Sequence, residues 1–134
     1  MDKDVGKLIS RLSGYNRPSE SAAIDALIAD ADDGLVERLE KELTKSQWPL
    51  CTSLGTALGR IGTPRSTQAL INNLTAQKHH VRTAAINALV LSGDEAVVVH
   101  IEPLLADKAY ETRVAARDAI KALTGQRVKT ARGE

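Results

Sequence analysis

Ala57-Leu58-Gly59-Arg60-Ile61-Gly62-Thr63-Pro64-Arg65, running on to Ala69-Leu70, is the stretch whose reading decides the fold. It joins the end of one helix to the start of the next. Gly62 stands where a helix closes in the left-handed conformation that glycine adopts without strain. Thr63 offers a short side-chain oxygen to the free N–H groups of the following helix, and Pro64 takes the first helical position, where its missing N–H costs nothing. A shift of 31 residues brings Ala88-Leu89 and Gly93-Asp94 into the same places, and a shift the other way brings Ala26-Leu27 and Asp32.

That period holds through the chain without a gap. Leu8, Leu39, Leu70 and Ile101 align, as do Leu12, Leu43, Leu74 and Leu105, with Val5, Val36, Thr67 and Val98 as a third rung. Spacings of i, i+3 and i+7 place these residues on one face of a helix, termed A. Leu27, Leu58, Leu89 and Ile120 mark a second helix, B, each preceded by alanine at 26, 57, 88 and 119 and flanked by Ala23, Leu54, Ala85 and Ala116. Alanine recurring at one rung signals close approach of a neighbouring helix. The spacing predicts A helices over 2–13, 34–45, 64–76 and 95–107 and B helices over 20–31, 50–61, 80–92 and 111–124, with Pro103 bending the last A helix. One domain over 1–125 results, with repeats at 1–31, 32–62, 63–93 and 94–125, followed by a basic, flexible tail over 126–134.

The segment 57–65, with Ala69-Leu70 and Val81-Arg82-Thr83-Ala84-Ala85, resembles the short HEAT-like repeat of phycobilin lyases and many prokaryotic scaffold proteins, whose pattern reads V-R-x-A-A-x-x-A-L-G-x-I-G-D-x-x-A-x-x-x-L. The likeness covers residues 2–125 and is weakest in the first repeat, which has Ala31-Asp32-Asp33-Gly34 in place of the terminal glycine. It implies an all-α fold, a right-handed α-solenoid with B helices on the concave side and A helices on the convex side. Each hairpin is then stabilised by its neighbours.

Composition agrees with close helix packing. Hydrophobic residues make up 43% of the chain and aromatic residues only 2%, so the core is built from Ala, Leu, Ile and Val. The formal net charge of +1 gives no global field toward nucleic acid or an anionic membrane. The single cysteine, Cys51, fits a reducing compartment, and no apolar run reaches the ~18 residues of a membrane helix. The expected location is cytoplasmic, with no membrane partner.

No catalytic, cofactor or metal constellation stands out. His79 and His80 fall in a turn and His100 on an A helix, and the His-Glu dipeptides of iron-binding HEAT-repeat hydroxylases do not occur. Cys51 falls on a partly exposed rung with no recognisable catalytic company. The expected function is that of a binding scaffold rather than an enzyme.

Binding candidates come from rungs that depart from the repeat. Taking 20, 24 and 28 and their equivalents as the concave face gives Glu20, Ile24, Ile28; Cys51, Gly55, Gly59; Arg82, Ile86, Val90; and Arg113, Arg117, Lys121. Ile86 and Val90 are then exposed apolar groups, and Gly55 is either tight packing or a groove for a partner side chain. Arg117 and Lys121 carry charge where the repeat has none, so with Arg82 and Arg113 they suit an acidic helix or peptide. The resemblance also implies that Arg82 and Arg113 are the consensus arginine of the repeat, which pairs with an acid of a neighbouring unit; Asp118 and Glu111 are the nearest candidates. The A-to-B turns carry Trp48, His79 and Tyr110 on one rung, with Arg17 in the first repeat. The leading expectation is therefore a protein partner, with nucleic acid second, an enzyme-accessory or lyase subunit third, and self-association through the end repeats open.

Overall fold

The computed structural model describes residues 4–12 and 17–134, with the side chains of 17–19 set apart. Eight α-helices lie among the described residues and no strand does: α1 (Val5–Leu12), α2 (Arg17–Ile28), α3 (Asp33–Lys45), α4 (Leu50–Ile61), α5 (Pro64–Asn72), α6 (His79–Val90), α7 (Val98–Ile101) and α8 (Tyr110–Thr124). Odd-numbered helices are the A members and even-numbered ones the B members. Each B helix packs on the next, α3 packs on α5, and the hairpins form an α-solenoid. The rung residues Leu12, Leu27, Leu39, Leu43, Leu54, Leu58, Leu70, Leu89 and Ile101 are fully buried along its length.

The punctuation read from sequence does its work. Asp32 Oδ1 accepts from the Leu35 amide at 2.8 Å, Thr63 Oγ1 from the Ser66 amide at 3.2 Å and Asp94 Oδ1 from the Ala96 amide at 2.9 Å. Gly62 and Gly93 have φ of 67° and 64°, and in the first repeat Asp30 takes φ 56° in their stead, which ends α2 three residues before the predicted 31. Pro103 does more than bend its helix. The fourth A segment breaks into the turns Glu95–Val97 and Glu102–Ala106 on either side of a four-residue α7.

Two expectations need correction. Ala57, Ala88 and Ala119 are buried against neighbouring helices, but Ala26 is exposed, because no earlier B helix lies beside α2 among the described residues. The tail at 126–134 does not fray. The Ala131 amide donates to the Leu105 carbonyl at 2.8 Å, Val128 packs against the core, and Thr130 is buried.

Helix α6 presses its backbone onto α4 at two glycines. A Cβ added to Gly59 would stand 2.7 Å from the Ala88 carbonyl oxygen and 2.9 Å from Leu91 Cδ1; at Gly55 the corresponding approach to the Ala84 oxygen is 3.1 Å. Gly55 is therefore filled by backbone and is no groove. Replacing Gly59 by alanine gains about 1 kcal/mol of helix propensity but pushes a carbonyl that belongs to another helix. Gly59→Ala is expected to destabilise by about 1–3 kcal/mol, and Gly55→Ala to stay within about 1 kcal/mol of the parent, as read by urea unfolding followed by circular dichroism.

Candidate functional site

Arg82 and Arg113 begin the same geometry on successive B helices. Arg82 Nε and Nη2 donate to the two carboxylate oxygens of Asp107 at 2.8 and 2.9 Å, and Nη1 donates to the Ala76 and Gln77 carbonyls at 2.9 Å each. Arg113 Nε and Nη2 donate to Glu134 at 3.0 and 2.9 Å, and its Nη1 to the Asp107 and Lys108 carbonyls at 3.0 and 3.2 Å. Both arginines are buried, and four of the five donors of each are spent inside the protein. Each closes its own A-to-B turn and takes an acid from the segment that follows. The acids are Asp107 and Glu134, not the nearer Asp118 and Glu111.

Burial pushes the Asp107 carboxyl up, but the Arg82 hydrogen bonds, the Ala109 amide and the Arg82 charge outweigh it and hold the group below the usual carboxylate range. Glu134, bonded by Arg113 and the Thr130 hydroxyl, is held down at about 2.

The rest of the expected concave face is largely interior. Ile86 and Ile24 are buried, Val90 and Ile28 half-buried against the core, and Gly55 is covered by α6. Cys51 is fully buried, its thiol donating to the His80 carbonyl at 3.6 Å, and burial pushes its pKa up. The cause of the misplacement is geometric. A B helix is contacted by its own A helix and by the B helices before and after it, so the solvent keeps a narrow arc that passes through Thr52, Thr83, Asn87 and Asp118. Arg117 reaches that arc only partly, with Nε donating to Asp118 at 2.9 Å, and Lys121 is exposed.

The turn ridge is different. Trp48 is 61% exposed and Tyr110 59%, the latter with the Arg113 guanidinium 5.8 Å from its ring centre. Between them His79 and His80 stand with ring centres 4.0 Å apart, and His79 Nε2 lies 3.2 Å from Glu111. Two shallow grooves share Trp48 and His80 as a wall: one runs past Lys78 and Lys108, the other past Thr52, Thr83 and Asn87. Lys78, Lys108 and His80 were missed in the sequence as groove residues, although the rungs Gln47/Lys78 and Gln77/Lys108 could have marked them. The Arg17 side chain on this rung lies outside the described residues.

A family profile for HEAT repeats matches residues 33–123, more than half of the chain. The chain belongs to the HEAT-repeat family. It is similar to the phycocyanobilin lyase subunit alpha of Nostoc sp. strain PCC 7120, at 38% identity over 82 residues, covering 61% of this chain and 28% of that protein. The chain thus spans under a third of the length of that relative. The solved complex of CpcE and CpcF of phycocyanin lyase from Nostoc sp. PCC7120 overlays on 94% of this chain and 67% of that one, with a TM-score of 0.47 and 17% identity.

In this HEAT-repeat chain the arginine ladder belongs to the stack and the ridge is what the stack leaves over. Among the described residues no helix is long and apolar enough to cross a membrane. Arg82→Ala strands a buried carboxylate and two carbonyls and is expected to cost about 3–5 kcal/mol in urea unfolding, much of it recovered by Arg82→Met with Asp107→Leu. Glu134 falls from its ordinary 4.5 to about 2 on folding, so its contribution is complete above pH 4.5 and is lost as pH falls toward 2. Glu134→Gln is accordingly expected to flatten that limb of the stability–pH profile measured by urea midpoint.

Proposed function

We propose that this chain is a non-catalytic HEAT-repeat scaffold that holds a partner protein along its A-to-B turn ridge. One observation carries the reading: of the three aromatic residues in the chain, Trp48 and Tyr110 sit on the same rung two repeats apart, both more than half exposed. Both stand outside the apolar core, and aromatic side chains are favoured contact anchors. Lys78 and Lys108 border one of the two grooves that Trp48 lines and suit a partner segment with acidic groups beside its apolar ones. The inaccessible thiol of Cys51 supports a non-catalytic role, and one unpaired cysteine suits a cytoplasmic setting. Nucleic acid is disfavoured, because Arg82 and Arg113 are bound internally and the basic cluster shrinks to Arg117 and Lys121.

A second reading, a lyase-related accessory subunit, is favoured by the 38% identity to the phycocyanobilin lyase subunit alpha. Addition of phycocyanobilin separates the two: a shifted, intensified bilin absorbance in the presence of the protein favours the subunit reading.

The ridge is tested on a partner recovered with the parent protein. Trp48→Ala with Tyr110→Ala is expected to weaken its affinity by about ten- to a hundredfold, or ~1.4–2.8 kcal/mol, at unchanged thermal stability. Arg117→Ala with Lys121→Ala should change it less than about threefold. An affinity indifferent to the aromatic pair would remove the ridge.

A further inference from the structure

The two grooves that Trp48 and His80 divide differ in charge. One is lined by Lys78, His79, His80, Arg82 and Lys108, and among the described residues no carboxylate lines it. The other is lined by Thr52, Thr83 and Asn87 together with Glu111. In a chain with 18 basic and 17 acidic residues, composition does not account for this local sorting.

The two imidazoles beside the wall are not equivalent. His79 Nε2 lies 3.2 Å from Glu111, so a positive charge on that ring has its counter-charge. His80 is exposed, its ring centre 4.0 Å from that of His79, and among the described residues no carboxylate pairs with it. The other charged groups around the rings are engaged elsewhere. Within the groove the Arg82 guanidinium is bonded to Asp107. From α8, Arg113 is bonded to Glu134, and Tyr110 stands against that guanidinium. From the α4 side, the Cys51 thiol donates to the His80 carbonyl, the Lys45 carbonyl accepts from Lys78 Nζ, and the Lys45 side chain pairs with Glu42. A proton on His80 is therefore added in the company of Lys78 and Lys108, with no carboxylate of its own to offset it.

An acidic side chain laid in this groove supplies the offset. It meets the two lysines whatever the pH and favours the charged form of His80, so by linkage the proton strengthens the contact as much as the contact favours the proton. Histidine is the side chain whose ordinary titration falls between about pH 5 and 8, whereas an exposed carboxylate stays ionised above about pH 5. The neighbouring buried groups do not titrate with it: Glu134 is held at about 2, Asp107 lies below the usual carboxylate range, and burial pushes the Cys51 thiol up.

We infer that the groove bounded by Trp48 and His80 is a carboxylate-binding site for an acidic segment of a partner protein, and that a proton on His80 strengthens the contact. The inference rests on the ridge as the partner-binding surface and adds the chemistry read there and its dependence on pH. Affinity accordingly rises as pH falls from about 8 to about 6.

Trp48 is the only tryptophan of the chain, so its emission reads this site. The probe is a synthetic peptide of four glutamates around one leucine, with its glutamine counterpart as control, titrated into the full chain at about pH 6 and about pH 8 at one ionic strength. The glutamate peptide is expected to bind about two- to fivefold more tightly at the lower pH. His80→Gln is expected to abolish that ratio at unchanged helix content, because the Cys51 thiol is held by the His80 backbone and not by its ring. His100→Gln, at an exposed position of α7, is expected to preserve it. Lys78→Met with Lys108→Met is expected to weaken binding at both pH values by at least about threefold. Equal affinity at the two pH values overturns the inference, as does a ratio that survives His80→Gln, an affinity indifferent to the lysine pair, or a glutamate peptide bound no better than its glutamine counterpart. A recovered partner that loses affinity with Trp48→Ala and Tyr110→Ala yet binds equally at both pH values keeps the ridge and overturns the proton-linked site.

Discussion

The structure depends on a buried guanidinium that cannot satisfy itself. Arg82 has enough donors to close its own A-to-B turn and still bind a carboxylate, and the carboxylate it takes belongs to the hairpin that follows. A repeat built this way is complete only when its successor is in place. This makes stacking directional and turns neighbouring hairpins into one cooperative unit, in keeping with the nearest-neighbour energetics of solenoids. In the fourth repeat the corresponding guanidinium, that of Arg113, takes its carboxylate from Glu134.

Close approach of the B helices is the second constraint. Gly55 and Gly59 let the backbone of α6 lie against α4, and contacts offset by 29 residues join α4 to α6 through Cys51 and His80 and α6 to α8 through Thr83 and Thr112. On the other layer Glu40 ties α3 to α5 through Arg65 and Asn72. Polar links on both layers fix the register while the leucine rungs supply most of the burial. Small residues and paired charges thus divide the work: the first set the distance between hairpins and the second set their order.

Once these demands are met, little of the surface remains unexplained. The B-helix arc is narrow and mostly uncharged, and the exposed aromatic residues among those described lie on the turn ridge. Trp48 and Tyr110 differ from the leucines beneath them in standing outside the apolar core, with Tyr110 touching the interior through the Arg113 guanidinium. A scaffold whose contact residues sit on turns can change partner without disturbing its stack.

The 31-residue period, the helix ends and the HEAT architecture were legible in the sequence, because caps, left-handed glycines and apolar rungs are local signals that each repeat reproduces. Asp32, Thr63, Asp94, Gly62 and Gly93 did what their residue types dictate. The face of each B helix that meets solvent was not legible, since it depends on two neighbouring B helices that the rung pattern of one helix does not reveal. Ile86 and Cys51 were placed outside for that reason and proved to be interior. The arginine partners escaped as well: Asp107 and Glu134 lie 25 and 21 residues downstream, at no constant interval of the repeat. The sequence by itself determined the repeating unit. Only the tertiary structure decided which of its charges face inward, because a buried ion pair is selected by where chain segments meet in space rather than by their spacing along it.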